Sequence, residues 1–167
     1  MCNVKSTKVE SELDEVLDIY RRGVGVVFGE TVSVIDMAEG VHEAREILTR
    51  RGYEFIDGGT TRDVFIMPCR EHVVKLQPGG SSNSREIEMS RRNLPGLAPV
   101  LNYSICNGWL VMPYFDKVML RGSCEEDLEY IDNRLADNGW SVVDTREIGY
   151  LDGDPYLIDY GAPWKKI

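Results

Sequence analysis

The sequence predicts an α+β fold, on three observations. Two stretches near the N-terminus carry apolar residues at helical spacing. From Tyr53 onward, short β-rich runs separated by Gly and Pro turns take over. The later helical stretches fall between groups of strands rather than after each strand, so the order is not that of alternating βαβ units. The 167 residues correspond to about one ordinary domain on a prior of roughly 100–200 residues. A content of 43% hydrophobic and 28% charged residues is the balance of a chain that can close a core.

Residues 10–22, ESELDEVLDIYRR, place Leu13, Val16, Leu17 and Tyr20 on one helical face, with acids early and arginines late as the helix dipole favours. The β-branched stretch 26–37, VVFGETVSVIDM, reads as a hairpin or irregular strand. A second helix is expected at 38–51, where Val41, Ala44, Ile47 and Leu48 share a face and Gly52 supplies a stop. YEFIDGG, TRDVFIMP and EHVVKLQ then read as three successive strands. They turn at Gly58-Gly59 and at Pro68-Cys69-Arg70-Glu71. A helix capped by Ser82 or Asn83 runs to about Asn93 and is broken by Leu94-Pro95-Gly96. Strands follow at 98–105 and 108–114, joined at Cys106-Asn107-Gly108. FDKVMLRGSC reads as a linker into a helix, EEDLEYIDNRLADNG, whose face is Leu128, Ile131 and Leu135. WSVVD, EIGYLDG and PYLIDYG are short closing strands, the last two sharing a turn at Asp152-Gly153.

Composition narrows the function. No apolar run approaches the roughly 20 residues of a membrane-spanning helix, and MCNVKSTKVESELDE lacks the apolar core of an export signal. A cytoplasmic protein without a membrane partner is expected. The net charge of −9 argues against nucleic acid as a partner, because phosphate contacts need a basic face. Cys2, Cys69, Cys106 and Cys124 form no CxxC pair, and with His42 and His72 they would give a tetrahedral zinc site only from scattered ligands. Free, buried thiols are the expectation.

Four features in order carry chemistry. A glycine-bearing turn, GGTTRDVF, joins the first two strands, and Lys75 lies inside the apolar strand HVVKL. Strand alternation puts Val73 with Lys75 and Val74 with Leu76, so both faces around the lysine are apolar, and a buried ammonium needs a specific partner. Glu86 and Glu88 lie on the following helix, and Asp159-Tyr160-Gly161 ends an apolar strand. A lysine held by a helix glutamate is a fixed cation for phosphates. A late aspartate can hold Mg²⁺, and glycine amides can approach phosphate oxygens.

At these residues the chain resembles the protein-kinase-like superfamily, particularly the very small kinase-like proteins of phages and prokaryotic mobile elements. The resemblance spans about residues 53–161: GGTTRDVF, VVKL, NSRE, LAPVL, WLVMPY and LIDYG. It implies a kinase-like N-lobe, an antiparallel five-stranded sheet plus a helix, at 53–114. It also implies a strongly truncated C-lobe at 115–167, with 1–52 as an N-terminal helical extension. ATP and Mg²⁺ are the implied cofactors. Gly58 and Gly59 would line the phosphates, Val73 would roof the adenine, Lys75 would contact the α/β-phosphates and Glu86 would orient it. Glu88 would point to solvent. Met112 would be the gatekeeper, with the hinge at Pro113-Tyr114-Phe115. Because proline has no N–H, Tyr114 or Phe115 would donate to adenine. Asp159 would bind the metal. Near the phosphates, Lys75, Arg62 and Mg²⁺ would supply the positive charge that the acidic chain otherwise lacks.

The catalytic loop departs from the kinase pattern, in which an Asp base is followed five residues later by an Asn. Asp144 follows the strand WSVVD, but Gly149 stands five residues on. Either the loop is two residues shorter, with Asp144 as base and Glu147 as metal ligand, or the catalytic pair is lost. The chain also ends six residues past Gly161, without the usual substrate-binding helices. Three functions are therefore open: a minimal ATP-Mg phosphotransferase, a pseudokinase acting on a protein partner as a regulatory or viral accessory module, or a non-nucleotide adaptor of a virus or mobile element that keeps only the fold.

Overall fold

The computed structural model describes residues 3–24, 34–58, 62–77, 81–115, 117–120, 125–142, 147–162 and 164–167. In chain order the elements are α1 (Thr7–Val24), α2 (Val34–Arg50), β1 (Glu54–Gly58), β2 (Asp63–Ile66), β3 (His72–Leu76), α3 (Ser82–Arg91), β4 (Asn102–Tyr103) and β5 (Trp109–Pro113). They continue with β6 (Lys117–Leu120), α4 (Glu125–Asp137), β7 (Trp140–Val142), β8 (Glu147–Leu151), β9 (Asp154–Leu157) and β10 (Trp164–Lys166). The fold is α+β, as expected. Two compact units are present: Met1–Gly80 with Leu101–Met112, and Ser81–Val100 with Pro113–Ile167. Among the described residues, no helix is long and apolar enough to cross a membrane.

The first unit is built on an antiparallel five-stranded sheet in the order β1-β2-β3-β5-β4. Its core joins the helices to the sheet. Leu13, Val16, Leu17 and Tyr20 of α1 and Ala44 and Leu48 of α2 cluster with Phe65, Val74, Leu76, Trp109 and Val111. The helical stripes read from periodicity are thus the docking faces of α1 and α2, and burial of such stripes is what stabilises short helices. Polar anchors fix α1 in place. Trp109 Nε1 donates to Asp14 at 2.7 Å, and Asn102 Nδ2 donates to the Val4 carbonyl at 2.8 Å.

At the sheet edge, β1 carries a bulge between Phe55 and Asp57, which leaves Ile56 outside the ladder. The stretch read as a hairpin or strand at 26–37 is helical from Val34. Its β-branched residues suggested a strand, but a helix forms there, a case of context overriding propensity. Residues 25–33 lie outside the described part of the chain. The strand expected at 98–105 shrinks to Asn102–Tyr103. Its earlier residues bond elsewhere: Ala98 N–H donates to the Leu157 carbonyl, and Val100 N–H donates to Ser90 Oγ.

In the second unit, α3 buries Asn83, Glu86, Ile87 and Met89. The N-cap is Ser81, one residue before the expected caps, and it makes no side-chain capping bond. A three-stranded sheet runs β6-β8-β9. The segment read as a linker therefore contains β6, because Lys117–Leu120 finds a partner far away in sequence, Glu147–Tyr150. The turn between β8 and β9 places Asp152 at φ 54° and Gly153 at φ 90°, the left-handed pair that a two-residue hairpin requires. Leu128, Ile131 and Leu135 of α4 are buried as its periodicity indicated. Residues 164–166, for which no element was expected, pair with β7.

Candidate functional site

The sequence-derived candidates among the described residues divide between the two units. Lys75 lies on β3, opposite Val64 of β2, and is only 6% exposed. All of Val73–Leu76 is buried, so both faces of the strand are covered, the one that carries Lys75 included. Val73 and Met112 are also buried. Gly58 is exposed at the end of β1 and pairs with Asp63. A Cβ there would stand 3.0 Å from both Arg45 Nη2 and Phe55 Cζ, the tips of two side chains. Gly59 and Asp144 lie outside the described residues. Arg62 is buried at 8% exposure.

The second unit brings Glu86 together with the Asp159-Tyr160-Gly161 segment. Glu86 is fully buried on α3, and its Oε1 accepts the Tyr160 backbone N–H at 3.2 Å. The Tyr160 hydroxyl in turn donates to the Ala98 carbonyl at 2.5 Å. Trp164 Nε1 donates to the Tyr160 carbonyl at 2.9 Å, and Arg85 Nη1 to the Gly161 carbonyl at 3.3 Å. At Gly161 a Cβ would lie 2.8 Å from Ser82 Cβ and 2.9 Å from the Ser82 carbonyl oxygen, so only glycine lets this backbone approach the start of α3. Glu88 is exposed and pairs with Arg92 one turn on.

Asp159 is half-buried just beyond β9, and Glu147 is half-buried at the start of β8. The Ile158 N–H donates to the Glu147 carbonyl at 2.9 Å, which continues the β8–β9 ladder. Glu147 thus stands opposite Ile158, and Asp159 follows one residue beyond that pair. Gly149, five residues after Asp144, is a buried strand residue. A Cβ there would meet Phe115 Cγ at 2.6 Å and Ile158 Cγ2 at 2.8 Å. Phe115 is buried and its ring lies 5.8 Å from that of Tyr156, whereas Tyr114 is half-exposed.

Three polar clusters were not singled out by sequence. Asp63, whose side chain is 2% exposed, receives a two-pronged ion pair from Arg45: Nε to Oδ2 and Nη2 to Oδ1, each 2.7 Å. Tyr20 also hydrogen-bonds to Asp63. Burial, followed by the charge of Asp63 and this hydrogen bond, pushes the Tyr20 phenol well above its ordinary range. The bond to Asp63 strengthens Arg45's hold on its proton.

Cys106 and Cys69 are the free cysteines among the described residues. Cys106 is exposed and Cys69 half-buried, so neither is the fully buried thiol expected. Both lie on hairpin turns, and Cys69 packs partly against the core. Partial burial raises the Cys106 thiol pKa. The hydrogen bonds from Ser104 and Gly108 N–H and the Arg21 guanidinium outweigh that effect and lower it below its ordinary value. Arg21 Nη2 is 3.1 Å from the sulfur. The third cluster joins Cys69, Glu71 and His72 at the β2–β3 turn.

Comparison of the chain with protein-family models gave no match, and comparison with curated protein sequences gave none either.

Proposed function

We propose that this chain is a minimal protein-kinase-like protein that binds ATP with Mg²⁺. The observation that carries this reading is the bond between buried Glu86 and the backbone directly after Asp159. A kinase-like site needs its lysine–glutamate pair and its metal aspartate both in place; this bond supports the reading because it ties the backbone next to Asp159 to the helix that carries Glu86. The buried Lys75 on a five-stranded antiparallel sheet gives further support.

The donor set fits the ligand. Asp159 and Glu147 offer carboxylate oxygens, which suit a hard cation such as Mg²⁺. When bound, the metal would neutralise phosphate charge. Lys75 would meet the phosphates as a point charge, and the N–H of Tyr114 or Phe115 would meet the adenine edge. Asp144 would take the proton of an acceptor hydroxyl. The reading goes with a cytoplasmic protein, where Mg·ATP is available.

A second reading has its own support. Counted five residues on from Asp144, Gly149 would take the place of the kinase metal-binding Asn, and Phe115 and Ile158 crowd any side chain there. A pseudokinase that holds nucleotide and acts through a protein partner accommodates this.

Calorimetric titration of the whole chain with ATP, with and without Mg²⁺, tests the proposal. One-to-one binding is expected. Lys75→Met should weaken it by more than about tenfold, the equivalent of roughly 1.4 kcal/mol. Asp159→Asn should remove the gain that Mg²⁺ confers. No heat of binding at millimolar Mg·ATP would refute it. Phosphate transfer that Asp144→Ala abolishes selects the enzyme; binding without transfer selects the pseudokinase.

A further inference from the structure

The turn between β2 and β3 carries three different metal-ligating side chains within four residues. Cys69 and Glu71 lie in the turn and His72 opens β3; one donor atom from each falls within 4.8 Å of the other two. Cys69 Sγ and His72 Nδ1 stand 3.4 Å apart. In a tetrahedral zinc centre, with Zn–S about 2.3 Å and Zn–N about 2.0–2.1 Å, the S···N edge is about 3.6 Å. Sulfur and nitrogen are therefore already near the separation they would keep around a cation. A thiol–imidazole pair sharing a proton is the metal-free form of the same geometry, and a metal takes that proton's place.

The backbone holds the three residues in this arrangement. Met67 N–H donates to the His72 carbonyl and Arg70 N–H to the Met67 carbonyl, each at 2.9 Å. Arg70, at φ 60°, takes the left-handed conformation that folds the chain back between Cys69 and Glu71. Cys69 and His72 are half-buried and Glu71 is exposed, so one side of the cluster is rooted in the sheet and the other faces water.

We propose that Cys69, Glu71 and His72 form a three-donor site for a borderline-soft divalent cation of the zinc class, with water as the fourth ligand. A thiolate and an imidazole select against Mg²⁺ and Ca²⁺, which prefer all-oxygen shells. Binding breaks the Cys69 S–H bond, forms the metal–sulfur bond and releases the proton to solvent. Sequence spacing pointed to scattered ligands because it treated each Cys and His singly. The site uses a carboxylate as its third donor and one tight turn to gather all three. It stands independently of the nucleotide reading, since its residues belong to a different turn from the candidate phosphate loop.

The experiment is a titration of the reduced, full-length chain with Co²⁺ alone, then with Zn²⁺ as competitor. A one-to-one complex is expected, with a single thiolate-to-cobalt charge-transfer band and a tetrahedral d–d spectrum that Zn²⁺ abolishes. Cys69→Ser should eliminate the charge-transfer band and weaken Zn²⁺ binding by at least about 100-fold. His72→Gln should weaken it by at least about tenfold, while Cys106→Ser leaves both signals intact. Circular dichroism of each metal-free variant verifies that it is folded. The proposal is overturned if the wild-type chain gives no thiolate–cobalt band. It is also overturned if the band survives Cys69→Ser or disappears in Cys106→Ser.

Discussion

The backbone N–H of Tyr160 donates to Oε1 of Glu86 across 74 residues of sequence, at 3.2 Å and in a buried setting. Glu86→Ala removes this acceptor from a buried N–H, a loss that costs about 1–3 kcal/mol. Glu86→Gln keeps a carbonyl oxygen in place and should cost less. Hydrogen exchange at the Tyr160 amide should quicken in the alanine variant well before it does in the glutamine variant. Equal exchange in both variants and in the wild type would contradict the role given to this bond.

Gly161 makes the second contact that ties this segment to α3. A methyl group there would stand 2.8–3.0 Å from Ser82 atoms, two of them backbone. Backbone cannot swing aside as a side-chain tip can, so Gly161→Ala should lower stability by about 1–3 kcal/mol. A chemical-denaturation midpoint equal to that of the wild type would show that the approach is looser than described.

Much of this was legible in the sequence, and the misses have physical causes. The docking face of α1, Leu13 to Tyr20, follows from periodicity alone, and the burial of Lys75 follows from apolar neighbours on both strand faces. Local pattern carried those readings. The start of α2 was misread because Val34 and Ile35 are β-branched and favour strands by propensity, yet a helix forms there. β6 and β10 depend on partners distant in sequence, at 147–150 and 140–142. In the candidate site the residue types stood out, but the Glu86–Tyr160 bond did not. Nor did the convergence of Tyr20 and Arg45 on Asp63, because each needs the tertiary fold to bring its partners together.

That convergence predicts an alkaline effect. Burial, the Asp63 charge and the hydrogen bond raise the Tyr20 phenol pKa above the ordinary value of about 10 that it has in the unfolded chain. A raised folded-state pKa contributes stability that is complete below the unfolded value and is lost as pH climbs beyond it. Tyr20→Phe should cost about 0.5–1.5 kcal/mol at neutral pH through the lost hydrogen bond. It should also lose less stability than the wild type between about pH 10 and 12. Urea unfolding at pH 8 and pH 11 measures both, and parallel losses in the two proteins would contradict the assignment.

Cys106 should react as a thiolate at lower pH than an ordinary cysteine. Its sulfur lies 3.1 Å from Arg21 Nη2 and 3.5 Å from Ser104 Oγ, and it is exposed to reagent. The pH profile of iodoacetamide labelling, resolved by peptide mapping, should have its midpoint below the usual thiol value, and Arg21→Gln should move it upward. A midpoint unchanged by that substitution would assign the effect elsewhere.

The central proposal is that the chain binds Mg·ATP, and thermal unfolding with nucleotide tests it most directly. A ligand that binds only the folded chain adds about RT ln(1+[L]/Kd), or roughly 2.7 kcal/mol at 100 times Kd. The account predicts a rise in melting temperature with millimolar Mg·ATP that both Lys75→Met and Asp159→Asn diminish. An unchanged melting temperature, or a rise that neither substitution reduces, would contradict it.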